Sequence, residues 1–284
     1  MEILSWNIQC GRGVDGRVDL ARIARTIRAF GDPDVICLQE VARGMAELDG
    51  GSGLDQVAEL SRLFDGYERV FGPALDRRGK AGGPRRQYGN LILSRRPVLQ
   101  VFCHMLPQPA EPGLKHMPRQ ATEAVIETEA GPIRVVTTHL EFHSAEQRRA
   151  QIARLRALHQ EVAANERAPA DPTAGEPYAT VPRPSTAVFC GDFNLEPGSP
   201  EYRMLLAPFD DGTPALVDAW TALYADRPHD PTCGLFDSAQ WPEGPHCRDF
   251  FFVTEDLIER LECAAVELDS AASDHQPILL RLRS

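Results

Sequence analysis

The chain has 284 residues, of which 43% are hydrophobic and 25% charged, the proportions of an ordinary globular protein rather than a disordered, collagenous or coiled-coil one. Its formal net charge of -11 argues against a surface built to grip a polyanion along its whole length. No apolar run approaches the roughly 18–20 residues of a membrane span, and residues 1–8 alternate like a strand and lack the pattern of a signal peptide, so the expected location is the cytoplasm. The seven cysteines form an odd count with no CxxC spacing, which argues against a disulfide framework and a zinc ribbon. Cys37 and Cys190 fall inside apolar runs and read as small buried hydrophobes. His229, Cys233, His246 and Cys247 carry zinc-type donors, but their spacing fits no usual ligand pattern.

Short apolar runs alternate with amphipathic stretches along the chain, the pattern of an α/β protein. A first strand is expected at Glu2–Ile8, followed by a helix at Asp19–Phe30 with Leu20, Ile23, Ala24 and Ile27 on one face. A strand at Asp34–Glu40 and a helix at Asp55–Phe64 come next, then strands at Tyr67–Phe71 and Asn90–Ser94. Between these two lies a Gly/Pro-rich basic stretch, Arg77, Arg78, Lys80, Arg85 and Arg86, which reads as a loop. It is either a solvated loop or a phosphate-gathering one, since the guanidinium fork matches phosphate oxygens. Strands at Thr122–Glu127 and Ile133–His139 precede a long helix from an N-cap at Ser144 to about Ala164. The proline-rich segment Glu166–Ser185 and the polar segment Asp226–His246 read as exposed loops, around strands at Thr186–Asp192, Asp249–Val253 and Pro277–Leu282. With strands continuing on both sides of every loop and no repeat, one domain spanning residues 1–284 is expected.

The polar residues that end these strands carry the chemistry. Asn7 closes the first, Glu40 the second, and His139 closes Val135-Val136-Thr137-Thr138. Asp192 and Asn194 close Ala187-Val188-Phe189-Cys190, Asp249 opens an aromatic triplet, and Asp274-His275 precede the last strand. One such Asp caps a turn; six strand-edge clusters exceed what capping explains. Carboxylates against apolar runs are costly unless paired or metal-bound. Gathered into one cleft, these hard oxygen donors suit Mg²⁺, with Mn²⁺ as the alternative.

Asn7 in SWNI, Glu40 in LQE, His139 in THL, Asp192 and Asn194 in GDFN and Asp274-His275 in SDH resemble, in this order, the endonuclease/exonuclease/phosphatase superfamily. That group includes deoxyribonuclease I, apurinic endonucleases, sphingomyelinases and inositol polyphosphate phosphatases. The resemblance runs from residue 5 to residue 278 and implies a four-layered α/β/β/α sandwich with its site at one end of the paired sheets. It further implies that Glu40 is the principal metal ligand, with Asn7 beside metal and phosphate and Asp274 as a further metal-side carboxylate. Asp192 resembles the group that orients or deprotonates the attacking water, helped by Asn194. His275 resembles the histidine on the scissile phosphate, Asp249 its carboxylate partner, and His139 a second phosphate-side or proton-donating group. Tyr88 and Asn90 in YGN and Arg119 are looser matches to substrate-binding positions; a strand-start aromatic, a satisfied buried amide and a surface arginine are their structural alternatives.

The implied activity is Mg²⁺-dependent hydrolysis of a phosphodiester or phosphomonoester by in-line attack of water. The site alone does not choose the substrate. The segment Gly11–Arg17 is closer to general bacterial hydrolases of the superfamily than to apurinic endonucleases, and THLE followed by an Arg-rich helix is similar to the branch that processes DNA ends. With a single short basic segment on an acidic chain, a small or lipid-like phosphoester ranks first, with Arg85 and Arg86 as candidate phosphate contacts. A nuclease or nucleic-acid end-processing activity ranks second, with weak duplex binding expected. A catalytically inactive phosphate-binding protein ranks last, because the full set of site residues is present.

Overall fold

The computed structural model describes residues 1–79 and 82–283; Lys80 lies outside them. The first half runs β1 (Glu2–Asn7), α1 (Leu20–Phe30), β2 (Val35–Arg43), α2 (Gln56–Leu63), β3 (Glu68–Arg77), β4 (Arg86–Ser94), β5 (Val98–Met105) and β6 (Gln120–Ile126). The second half runs β7 (Ile133–His139), α3 (Ala145–Arg167), β8 (Ala187–Asp192), α4 (Pro200–Leu206), β9 (Leu216–Asp218), α5 (Ala219–Leu223), β10 (Asp249–Thr254), β11 (Leu261–Val266) and β12 (Ile278–Leu282). The strands form two six-stranded sheets, ordered β11-β12-β1-β2-β4-β3 and β5-β6-β7-β8-β10-β9.

Strand alternation sorts the side chains into layers. Ile3, Val35, Cys37 and Ile92 of the first sheet meet Ala124, Val135, Val188 and Phe251 of the second in a central core. The opposite face of the first sheet, with Leu4, Trp6, Ile36 and Leu38, packs on Ile23 and Ile27 of α1 and Leu60 of α2. The opposite face of the second, with Val136, Phe189 and Phe252, packs on Ile152 and Leu155 of α3 and Leu205 of α4. Three cores separating four layers are the α/β/β/α sandwich. Asp19, Asp55 and Ser144 start α1, α2 and α3, each accepting a backbone N–H three residues on.

Three strands absent from the sequence expectation, β5, β9 and β11, are sheet edges. Strand β5 exposes Val101 and Met105 on its outer face, so apolar residues fall on both faces and the alternation that marks a half-buried strand is lost. Helices α4 and α5 have seven and five residues, too short for a helical period to register. The basic segment expected to be a loop connects a hairpin: β3 continues through Arg77 and β4 begins at Arg86, paired with each other, and the described residues between them belong to no strand. Helix α3 likewise runs three residues past Ala164. The four zinc-type donors do not converge: His229 Nε2 meets Asp218 Oδ2 at 2.8 Å, whereas Cys233 Sγ pairs with His246 Nε2 at 3.2 Å. All seven cysteines are free. Among the described residues no helix is long and apolar enough to cross a membrane.

A buried ionic cluster anchors the proline-rich segment that follows α3. Glu123 on β6 takes both nitrogens of Arg183 at 2.7 and 3.0 Å and the Nε2 of His104 at 3.2 Å, with Arg134 at 3.5 Å. Burial raises the Glu123 pKa, but His104, Arg183 and Arg134 outweigh it and hold the carboxyl at about 2. Burial, aided by Arg134, lowers His159 to about 4, in keeping with its Nδ1 accepting from Arg134 at 2.8 Å. Both groups bind fewer protons folded than unfolded, so each removes stability as pH falls. The His159 loss runs from the ordinary 6.5 down to about 4, and the Glu123 loss from the ordinary 4.5 down to about 2. Thermal melts across the upper window should show Tm falling with pH in the native chain and a shallower fall in His159→Gln; equal slopes would remove His159 from this account.

Candidate active site

Sheet polarity explains why residues up to 268 positions apart meet. Strands β1 and β2 are parallel, as are β7 and β8, so their C-terminal ends coincide: Asn7 lies opposite Gln39, and His139 opposite Asp192. Strands β10 and β12 run antiparallel to β8 and β1, so they bring their N-terminal ends to the same edge. Asp249 opens β10 and sits opposite Asp192, and Asp274-His275 immediately precede β12.

Local backbone geometry then aims the side chains. The β2–β4 register shifts between Leu38 and Val41, and inside this bulge Glu40 takes φ 60°. A bulge of this kind redirects a side chain, here into the cleft and away from the central core. Asn194 adopts φ 51°. Gly191, at φ 131°, passes so close to β7 that a Cβ would come within 2.0 Å of the Thr138 carbonyl, so only glycine lets Asp192 sit beside His139.

The resulting cluster is closely coupled. His275 Nδ1 lies 2.8 Å from Asp249 Oδ2, and its Nε2 lies 3.7 Å from Asp192 Oδ2. Asn7 Nδ2 donates to Asp192 Oδ2 at 3.0 Å and to Glu40 Oε1 at 3.2 Å. The Asn194 N–H donates to Asp192 Oδ1 at 3.0 Å, and its side-chain amide donates to the Leu140 carbonyl at 2.9 Å. His139 reaches Asp192 Oδ2 with Nε2 at 3.4 Å and Glu40 Oε1 with Nδ1 at 3.8 Å. Asp274 Oδ2 accepts from Gln240 Nε2 at 2.5 Å and Trp241 Nε1 at 3.3 Å.

The electrostatics separate the two histidines. Burial alone would lower the His275 pKa, but Asp249, Asp192 and Asp274 raise it well above the ordinary value, so this ring is an imidazolium. His139 is pushed well below the ordinary value by burial, Arg119 and His275, and is neutral. Glu40 is raised by burial and by Asp274, and Asp192 by burial against the pull of His275.

Asp192, Asp249 and His275 form a buried group with the spacing of a metal site. Its own imidazolium, however, already supplies the positive charge there. Glu40 and Asp274 are not directly paired with that imidazolium, and Asp274 raises the Glu40 pKa more than His275 lowers it. With Asn7 beside them they form a hard-oxygen donor set, the chemistry that fits Mg²⁺ or Mn²⁺. The buried His139 Nδ1 and Arg119 Nη1 have no hydrogen-bond partner, which suits a site completed by a bound group.

The cleft over this cluster has a volume of about 390 Å³ and is lined by seven of the expected residues (Asn7, Glu40, His139, Asp192, Asn194, Asp274 and His275) and by Arg119. Asp249 stands behind His275. Arg119 is buried rather than a surface arginine, with Nε 3.4 Å from Glu141 Oε2. The other expected substrate contacts do not line the cleft, although Tyr88 adjoins Glu40. The Asn90 amide donates to the Gln120 and Thr137 carbonyls at 3.2 and 3.5 Å, tying the sheets together. Arg85 pairs with Asp76 at 2.5 Å, and Arg86 pairs with Glu47; neither lines the cleft. Tyr88 packs with Cys10, Met45 and Leu75, and burial and the adjoining Glu40 carboxylate push its hydroxyl well up.

Sequence reasoning missed Lys115, Met117, Phe142, His143, Gln240 and Trp241, which also line the cleft. They come from irregular segments without a strand end to mark them. Two signals were available: Phe142 and His143 follow Thr138-His139-Leu140-Glu141 directly, and Trp241 is the one tryptophan of the largely polar segment Asp226–His246.

A buried carboxylate cluster at one edge of a two-sheet sandwich defines a class of hydrolase acting on phosphoric esters. The chain belongs to the endonuclease/exonuclease/phosphatase family, whose model matches residues 4–275; such enzymes are phosphoric ester hydrolases and generally depend on a divalent metal. Three solved structures illustrate the likeness. An endonuclease/exonuclease/phosphatase from Beutenbergia cavernae is 25% identical, with a TM-score of 0.67, over 100% of this chain and 72% of that one. A mannosyl-6-phosphatase from Bacteroides thetaiotaomicron is 15% identical, with a TM-score of 0.66, over 100% of both chains. A 3′ phosphatase from Neisseria bound to a product DNA hairpin is 18% identical, with a TM-score of 0.63, over 100% of both. No curated protein sequence matches the chain.

The charge assignment of His275 is open to direct measurement. Its imidazole resonances should stay in the protonated position above pH 7, and Asp249→Asn, which removes the nearest raising charge, should move the transition downward. An unshifted transition would show that Asp249 does not set this charge.

Proposed function

We propose that the chain is a Mg²⁺-dependent phosphoesterase that hydrolyses a small or lipid-like phosphoester. The observation that carries this reading is the meeting of Glu40, Asp192, Asp249 and Asp274 around a single imidazolium, His275. Four carboxylates against one cation leave an excess of negative charge that Glu40 and Asp274 would relieve by holding the metal, with Asn7 beside it. A divalent cation bound there neutralises charge on the phosphate and leaving oxygens.

The protein's own groups would do the rest. Asp192, held through one oxygen by Asn7 and through the other by the Asn194 N–H, positions a water and accepts its proton. Its raised pKa brings it toward the range of a working base. His275, kept charged by Asp249, donates through Nε2 to a phosphate oxygen as negative charge builds. Neutral His139 and the unpartnered Nη1 of Arg119 complete the phosphate cradle, with Lys115 at the mouth.

A cleft of about 390 Å³ suits a compact ligand. Arg85 and Arg86 of the basic hairpin are already paired with acids and do not line the cleft. A duplex held by several phosphates would instead require free cations, with a salt slope of about -0.9 for each phosphate neutralised. Weak duplex binding at physiological salt follows, and tight, steeply salt-dependent binding would move the assignment to a nuclease.

Glu40→Gln keeps the side-chain shape and removes its charge, so it should melt like the native chain yet lose most of its metal-dependent turnover. Chelator should abolish native activity and Mg²⁺ restore it; full activity in excess chelator would refute the proposal. Asp192→Asn should lower kcat by about 10²–10⁴-fold with little change in KM, and a pure KM effect would make Asp192 a binding residue instead.

A further inference from the structure

The wall of the cleft also carries apolar side chains. Met117, Phe142 and Trp241 share it with Lys115 and Arg119. Phe142 is 43% exposed, whereas Trp241 is 4% exposed. Large aromatic side chains left in water forgo the gain of burial, and this one stands three residues past His139, at the mouth of the site.

The backbone around Phe142 is clamped. Its neighbour Glu141 points inward and is fully buried, with its carboxylate accepting the His143 N–H at 2.9 Å and its own N–H donating to Gln151 at 2.9 Å. Arg148 donates to the Glu141 and Phe142 carbonyls at 2.7 and 3.1 Å. With Glu141 committed to the interior and both carbonyls tied to α3, Phe142 is presented outward from a fixed main chain. Its ring meets Trp241 at 5.8 Å and 82° and His143 at 4.9 Å and 85°. Both contacts are perpendicular, and no described aromatic ring stacks parallel upon it. Trp241 is itself fixed by its bond to Asp274 and by edge contacts with His246 and His275 at 5.1 and 5.5 Å. A rigid apolar surface of this kind binds without first having to be ordered.

We propose that Phe142, backed by Trp241, is a platform for a planar unsaturated ring of the substrate, carried either on the ester oxygen or across an intervening ribose. The substrate class is then a phosphoester that bears an aryl or nucleobase ring, as opposed to one whose organic part is only a sugar or an alkyl group. This rests on the phosphoesterase reading and narrows it. The composition of the cleft supports it: the aromatic pair abuts the acidic cluster through Trp241, which bonds Asp274 and meets the His275 ring, and cationic Arg119 and Lys115 line the same cleft for the phosphate. Stacking of a ring on such a surface is worth about 1–3 kcal/mol by truncation, which converts to about 5- to 150-fold in affinity.

The test is an equilibrium titration read through tryptophan fluorescence, using phosphonates that the enzyme cannot hydrolyse. Phenylphosphonate is compared with methylphosphonate, and an adenosine phosphonate with the matching ribose phosphonate, all with Mg²⁺ present. The native chain should prefer the ring-bearing member of at least one pair. Phe142→Ala should reduce that preference by about 5- to 150-fold, while Phe142→Tyr and Phe142→Trp should keep it. The pair that responds distinguishes an aryl group from a nucleobase. No preference in the native chain, or a preference untouched in Phe142→Ala, overturns the proposal. Because binding is read without turnover, inactivity of the native chain on every phosphoester would instead refute the phosphoesterase reading itself.

Discussion

The site exists only while two sheets keep their relative position, and a strip of buried amides beneath the cleft maintains it. Asn7, Glu40, Asp274 and His275 belong to the first sheet or its connections; His139, Asp192, Asn194 and Asp249 belong to the second. Apolar contact between the sheets is strong but has little directional preference. Directional bonds supply the missing specificity. Gln39 Nε2 on β2 donates to Thr137 Oγ1 on β7 at 2.8 Å and to Ser5 Oγ at 3.1 Å. Asn90 on β4 reaches the carbonyls of β6 and β7, and Gln120 on β6 returns a bond to the Gly72 carbonyl of β3 at 2.5 Å. The His275–Asp249 pair crosses the same boundary within the site. Polar groups this deep cost stability unless satisfied, so a slipped sheet would leave several of them unpaired at once.

That arrangement also explains how an acidic protein can operate on an acidic substrate. The charge that matters is local. His275 is held cationic by three surrounding aspartates, and Arg119 is buried at the cleft with an unpartnered nitrogen. Most other arginines are already engaged, as in the Glu123 cluster or the Asp76 and Glu47 pairs. Specificity therefore falls to the walls of the cleft rather than to long-range attraction.

Much of this was legible in the sequence, for a physical reason. Residues at strand ends in central strands sit in strongly patterned, fully buried runs, so Asn7, Glu40, His139, Asp192 and Asp249 stood out against their apolar neighbours. Edge strands, pairing on one side only, carry weaker patterns, and β5, β9 and β11 escaped notice. Arg85, Arg86 and Asn90 were read from residue type, and type alone does not reveal a partner: two are engaged by nearby acids and the third by backbone carbonyls. The cleft walls were illegible because Met117, Phe142 and Trp241 reach the site through irregular loops, whose paths no period encodes.

Glu40 and Asn194 adopt positive φ, a region that costs non-glycine residues about 1–3 kcal/mol. Glycine would occupy either position without that cost. Natural selection for thermal robustness alone would therefore tend to erase these two side chains, and with them the principal candidate metal ligand. Among the described residues the four non-glycine positions with positive φ are Gln9, Cys10, Glu40 and Asn194, all within three residues of Asn7, Glu40 or Asp192, so the backbone strain is concentrated where the cleft is built.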